Sequence, residues 1–170
     1  MGHWLRKTLD RIEANPSVKI WAVYSNTSLR RLLHTTIESA WREDKGNRPF
    51  PWHRVDLWHV KDALDLLLKE IGQTMRDYGY DYDKAAEAYL TANLGKVIGP
   101  RCHALFADEG QDLGPNTLKL FTALVDHGDP ENPNSRSINI FYDNAQNVYG
   151  RGTPKWSEIG LDMRGRSTVM

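Results

Sequence analysis

The 170-residue sequence predicts an α/β fold built on a parallel sheet, on three observations. Short β-rich apolar runs alternate with stretches of helical period, the pattern of βαβ units. Two of those runs, ending near Ala107 and Tyr142, pass straight into aspartates, Asp108 and Asp143. Ligands of parallel sheets gather outside the carboxyl ends of the strands, where both aspartates fall. The composition, 40% apolar and 26% charged, supports a buried core and excludes a disordered chain.

Taken in order, Leu5, Leu9 and Ile12 recur at i, i+4, i+7 and predict a helix over 3–14. It stops at Asn15-Pro16, because the residue before proline is pushed out of helical geometry. Val18 to Tyr24 is a β-rich run bounded by a polar turn and reads as a buried strand. Thr27 or Ser28 can cap the next helix, whose core-facing stripe is Leu29, Leu32, Leu33, Thr36, Ile37, Ala40 and Trp41. Residues 43–53 carry charges and two prolines, a surface loop, and Arg54 to His59 reads as a short strand. Leu64, Leu67, Leu68, Ile71, Met75 and Tyr78 line one helix, and Ala86, Leu90, Leu94, Val97 and Ile98 line another. Gly99-Pro100 ends the second. His103 to Ala107 is a strand, Gly114-Pro115-Asn116 opens a helix, and Ser137 to Tyr142 is another strand. The tail over 150–166 is aperiodic.

Charge and composition exclude several function classes. Lys plus Arg and Asp plus Glu are 22 each, so the net charge is zero and no global basic field attracts nucleic acid or a membrane. A local basic groove remains compatible with that balance. The single Cys102 excludes a disulfide framework and a cysteine-built zinc site, and beside a buried strand it reads as an inert core thiol. His53 and His59 lack metal-ligand spacing. Trp21 and Trp41 lie on core faces, and the pairs Arg30-Arg31 and Arg164, Arg166 read as solvated surface. No apolar run reaches the length of a membrane span, and the charged first residues are unlike a signal peptide. The expectation is a soluble, cytoplasmic protein with no membrane partner.

The densest chemistry lies at Asp108-Glu109-Gly110-Gln111-Asp112, directly after an apolar strand. Phosphoryl transfer to water needs a Mg²⁺ ligand, a neighbouring carboxylate to orient or deprotonate the water, and a polar group near the γ-phosphate. One strand end offers all three. The segment being extended, the side chains of Asp108 and Glu109 are expected to diverge. The bland alternative is an acidic loop favourable to the N-terminus of the following helix.

The order Asp-Glu-x-Gln-Asp resembles the Walker B motif of superfamily 1 helicases of the UvrD/Rep type at every fixed position. Asp143-Asn144-Ala145-Gln146-Asn147-Val148-Tyr149 is similar to that family's Gly-Asp-x-x-Gln-x-x-Tyr motif, with Tyr142 in place of the glycine. Ala22 to Leu29 resembles the family's early single-strand-contacting motif. Leu57-Trp58-His59 is weakly similar to its Thr-His contact, and Tyr149-Gly150-Arg151-Gly152 to its aromatic-and-arginine segment. The resemblance implies a RecA-like P-loop NTPase fold, a three-layer parallel sheet with a small helical insertion over 60–100. It implies that residues 1–170 are part of a first motor domain that is truncated at both ends. The sequence holds no Gly-x-x-x-x-Gly-Lys-Thr phosphate loop, so the chain is expected to begin just after it.

By the same resemblance the cofactors are ATP and Mg²⁺, and the function is ATP-dependent movement on DNA. Asp108 would bind Mg²⁺, Glu109 would activate the attacking water, and Gln111 and Gln146 would sense the γ-phosphate. Asp108, Asp112 and Asp143 make up the nucleotide-binding set, with Asp112 tying the acidic loop to its neighbours. Ser25, Asn26, His59, Tyr149 and Arg151 would contact single-stranded or partly duplex DNA, and the remaining motor domains would be partners. With neutral net charge, binding of single strands by this chain is expected to be weak and salt-dependent. A different class stays open: a non-catalytic RecA-like domain that binds single-stranded nucleic acid or a protein, which fold alone does not separate from a motor.

Overall fold

The computed structural model describes residues 5, 8–10, 17–96, 98–126, 137–141 and 156–159. Among these residues four strands form one sheet: β1 (Ile20–Tyr24), β2 (Val55–His59), β3 (Ala104–Ala107) and β4 (Ser137–Ile140). All pairings are parallel, in the order β2-β1-β3-β4. The helices whose bounds lie wholly within the described residues are α1 (Leu29–Lys45), α2 (Val60–Leu68), α3 (Tyr82–Ala92) and α4 (Pro115–Ala123). The strand-helix alternation and the parallel sheet agree with the α/β class read from the sequence.

The burial of the strands matches their places in the sheet. Every residue of Ile-Trp-Ala-Val-Tyr in β1 is buried, as in a strand covered on both faces, and β1 sits inside the sheet. Every residue of β4 is half-buried, and β4 lies at an edge. Period-two alternation sends Ile20, Ala22, Ala104 and Phe106 to one face with Ile37 and Trp41 of α1 and with Leu5 and Leu9. Trp21, Val23, Leu105 and Ala107 face the other way, onto α2, α3 and α4. Burying side chains the size of Phe106 and Phe121, both at 1% exposure or less, stabilises by about 2–3 kcal/mol each. Helices thus cover both faces. The segment over 60–92 packs into the same core cluster as the sheet.

Several boundaries differ from the sequence reading. α1 runs on past Trp41 to Lys45, ended by Gly46 at φ 61°. Ser28 sits at its N-cap position in helical geometry with no side-chain cap; the turn is made by Asn26, whose Oδ1 accepts from the Ser28 amide at 3.0 Å. The single helix expected through Leu64 to Tyr78 breaks after Leu68 into two short 3-10 turns. Gly72 at φ 72° reverses the chain, and Thr74 and Asp77 cap the second turn reciprocally. α3 stops at Ala92, well before Ile98, because Asn93-Leu94-Gly95 turns with Gly95 at φ 78°. β4 ends at Ile140. Of the helix expected over 3–14, Leu5 and residues 8–10 are described, and they are helical. Within the tail read as aperiodic, Trp156–Ile159 forms a 3-10 turn, with Ile159 buried in the core.

Trp21 and Trp41 are buried, as expected. Cys102 is also buried, and desolvation pushes its thiol up to about 12, which keeps it unreactive near neutral pH. No helix among the described residues is long and apolar enough to cross a membrane.

Candidate functional site at the carboxyl ends of the central strands

From β1 the chain moves to β2 on one side, then returns to place β3 on the other side of β1. The boundary between β1 and β3 is therefore the point where the winding direction reverses, and ligands of open α/β sheets bind just outside it. Ser25 and Asn26 leave β1 there, and Asp108 to Asp112 leave β3.

Asp108 is the first polar residue after four buried ones, and its amide donates to the Val23 carbonyl at 2.9 Å, extending the β1–β3 ladder by one step. Burial raises the carboxyl pKa of Asp108 above the ordinary aspartate value of 3.8, and the adjacent Glu109 adds to the rise. Glu109 then corrects the extended geometry expected of it. It lies in the left-handed region, φ 52° and ψ 49°, so the chain turns immediately after Asp108. A non-glycine residue there costs about 1–2 kcal/mol, a strain of the kind that concentrates at functional sites.

The turn is held from several sides. Gly110 N donates to the Phe141 carbonyl at 2.8 Å, and Phe141 N to the Ala107 carbonyl at 2.8 Å, so the exit of β4 is locked to the acidic loop. The Gln111 side chain is buried, and its Nε2 donates to the Glu109 carboxylate. Asp112 Oδ2 accepts from the Ser25 hydroxyl at 3.1 Å, which bridges the switch point between β1 and β3.

His59, at the end of β2, is 9% exposed. Its Nδ1 accepts from the Lys61 amide at 3.1 Å and caps α2. The ring proton therefore sits on Nε2, which donates to the Ser25 carbonyl at 2.9 Å. Tyr24 and Tyr82 meet the ring edge-on. Both ring nitrogens thus serve the protein's own backbone, where the sequence reading had set His59 against DNA. Asn26, in contrast, is exposed at the mouth of the site.

The structure therefore brings Asp108, Glu109, Gln111, Asp112, Ser25, Asn26 and His59 to one sheet edge. Asp143, Gln146, Tyr149 and Arg151 lie outside the described residues. Among the described residues no three His, Cys, Asp or Glu side chains converge into a metal cage. A Mg²⁺ site there would use Asp108 with water and phosphate oxygens as the other ligands, the usual arrangement for that ion. Asp108, raised by burial and by the like-charged Glu109 beside it, fits a cation, which would relieve that repulsion.

Sequence reasoning missed Asp83. Its carboxylate, on α3, accepts from Thr117 N at 2.9 Å, Thr117 Oγ1 at 3.4 Å and Asn116 Nδ2 at 3.2 Å. It thereby caps α4, the helix that carries the acidic loop away from the sheet. Only the missing cap residue, Gly114 in front of Pro115, could have signalled that a distant acceptor was needed. No protein-family model, curated protein or solved structure matches this chain.

Proposed function

We propose that this chain is part of the first motor domain of an ATP-dependent DNA helicase or translocase, with a RecA-like fold. The observation that carries the reading is Asp108-Glu109-x-Gln111-Asp112 leaving an interior parallel strand at the topological switch point, with β4 locked beside it and leading towards Asp143. Mg²⁺, held by Asp108 and the nucleotide, would supply charge stabilisation at the β- and γ-phosphates. Glu109 accepts a proton from the attacking water, and Gln111 holds the Glu109 carboxylate in place. Asp112 and Ser25 tie the acidic loop to the β1 exit, from which Asn26 contacts single-stranded DNA. Gln146, Tyr149 and Arg151 complete the γ-phosphate and DNA contacts.

The test has two parts. The coding sequence upstream of Met1 should contain Gly-x-x-x-x-Gly-Lys-Thr or its Ser variant within about 15 codons. In the protein carrying that loop, phosphate release should depend on Mg²⁺ and single-stranded DNA. Glu109→Gln should cut it by about 10²–10⁴ while nucleotide affinity stays within a few-fold. Turnover surviving within about threefold removes Glu109 as the base. Turnover and affinity falling together would mean that Glu109 holds the metal or the fold.

A further inference from the structure

The opposite edge of the sheet, where the strands begin, has a different character. Lys19 precedes β1, Arg54 precedes β2 and His103 precedes β3. A cavity of about 310 Å³ opens there, walled by Trp41, Pro49 and Pro51 and faced by Arg48, His53 and Arg54. No acidic side chain is among its described lining residues. Its volume is at the lower end of the range for small-ligand sites.

The loop that presents these side chains is well pinned. Trp41 Nε1 donates to the Arg48 carbonyl at 2.9 Å, and Trp52 Nε1 donates to Glu38 Oε1 at 3.0 Å. Pro49 and Pro51 fix their own φ angles, and Arg54 N closes a turn on the Pro51 carbonyl at 2.9 Å. Trp52 lies between Phe50, at 4.5 Å, and His34, at 4.0 Å and nearly parallel. His34 ends that stack with its side chain 47% exposed. Lys19 Nζ donates to the His53 carbonyl at 2.8 Å, bringing a further cation to the same turn. Of the acids around it, Glu38 already serves Trp52, with His34 at 3.9 Å and Arg42 at 3.7 Å, and Asp10, next to the lining residue Leu9, pairs with Lys45 at 2.8 Å.

Two indole N–H groups and two prolines thus hold in place a loop whose arginines, Arg48 and Arg54, line one concave space beside His53. A preorganised cation cluster of this kind suits a phosphate group, which arginine binds through its planar fork. We propose that this cavity is a phosphate-binding site that seats the backbone of single-stranded nucleic acid, with the adjoining base stacked on His34. It lies at the other edge of the sheet from Asp108 and does not rest on the motor reading. A free phosphate would satisfy the same cations but not the aromatic step.

The full chain, with fluorescein-labelled dT16 and anisotropy read over a salt series, tests this directly. Arg48→Glu and His53→Glu replace exposed side chains and should preserve the circular dichroism spectrum. Each should weaken binding about fivefold or more, and Arg48→Glu should also lower the salt slope by about one. His34→Ala should weaken dT16 binding about fivefold or more while leaving competition by inorganic pyrophosphate unchanged. Unaltered dT16 binding in both charge variants, or no binding by the parent chain at low salt, overturns the site. Pyrophosphate that competes as tightly as dT16, with His34→Ala silent, overturns the nucleic-acid occupant. Loss confined to Asn26→Glu moves the binding to the carboxyl edge; it refutes this proposal and leaves the motor reading intact.

Discussion

Asp83 and Gly114 should be energetically coupled, and the coupling should be measurable. Asp83→Ala removes the acceptor for the Thr117 amide, a helix-capping bond of 2.9 Å, and leaves Asn116 and the Thr117 hydroxyl without their partner. Removal of a capping side chain costs about 0.5–2 kcal/mol, and here the cap also joins α3 to α4, so the upper half of that range is expected. In a chain of this size that lowers Tm by roughly 2–8 °C. Asp83→Asn keeps an oxygen at the same position and should recover most of the loss.

Gly114 has φ −73° and ψ 165°, a conformation open to any residue, so its lack of a side chain is a matter of space. A Cβ there would overlap the Asp83 carboxylate and lie 2.8 Å from Asp83 Cβ. Gly114→Ala should therefore cost about 1–3 kcal/mol by overpacking and by displacing the cap. With alanine already at 83, the added methyl meets one methyl group that can shift, and the two losses should not add. The cycle predicts a coupling of about 1 kcal/mol or more. Urea unfolding followed by far-ultraviolet circular dichroism and tryptophan fluorescence would give all four free energies. Strict additivity, or a Gly114→Ala variant as stable as the parent, would refute the steric account.

Glu109→Gly should stabilise the chain by about 1 kcal/mol, since glycine tolerates the left-handed geometry that glutamate occupies at a cost; denaturant midpoints decide it, and an unchanged or lower midpoint refutes the strain. Asp108 binds its proton more tightly in the folded chain than in the unfolded one. Its contribution to stability therefore falls as pH rises from the ordinary aspartate value through its raised folded value, and stays unfavourable above that. Asp108→Asn should be more stable than the parent at neutral pH, with the advantage fading towards and below about pH 4, as a pH series of unfolding midpoints would show.

Much of the fold was legible because strands and helices bury different periodicities. Ile20–Tyr24 and Ala104–Ala107 are apolar throughout, which fits burial on both faces, and both strands lie inside the sheet. The acidic loop was legible too, because its residue types stand together in the chain. Helix interruptions were less so: Leu64, Leu67, Leu68, Ile71 and Met75 keep a helical period, yet Gly72 turns the chain at positive φ, and the later residues reach the core from separate turns. Apolar spacing reports which side chains are buried, not whether one helix buries them all.

The sequence by itself determined the alternation of strands and helices and the delivery of Asp108, Glu109, Gln111 and Asp112 by one strand end. Those are local properties of contiguous residues. Only the tertiary structure decided that β3 returns to the far side of β1, because strand order depends on which faces the intervening helices cover. That return puts the Ser25 hydroxyl on Asp112, and the packing of β2 beside β1 sets His59 Nε2 against the Ser25 carbonyl. It also made Asp83 the cap of a helix that begins more than thirty residues later. Such contacts join residues far apart in sequence, and their geometry exists only once the layers have packed.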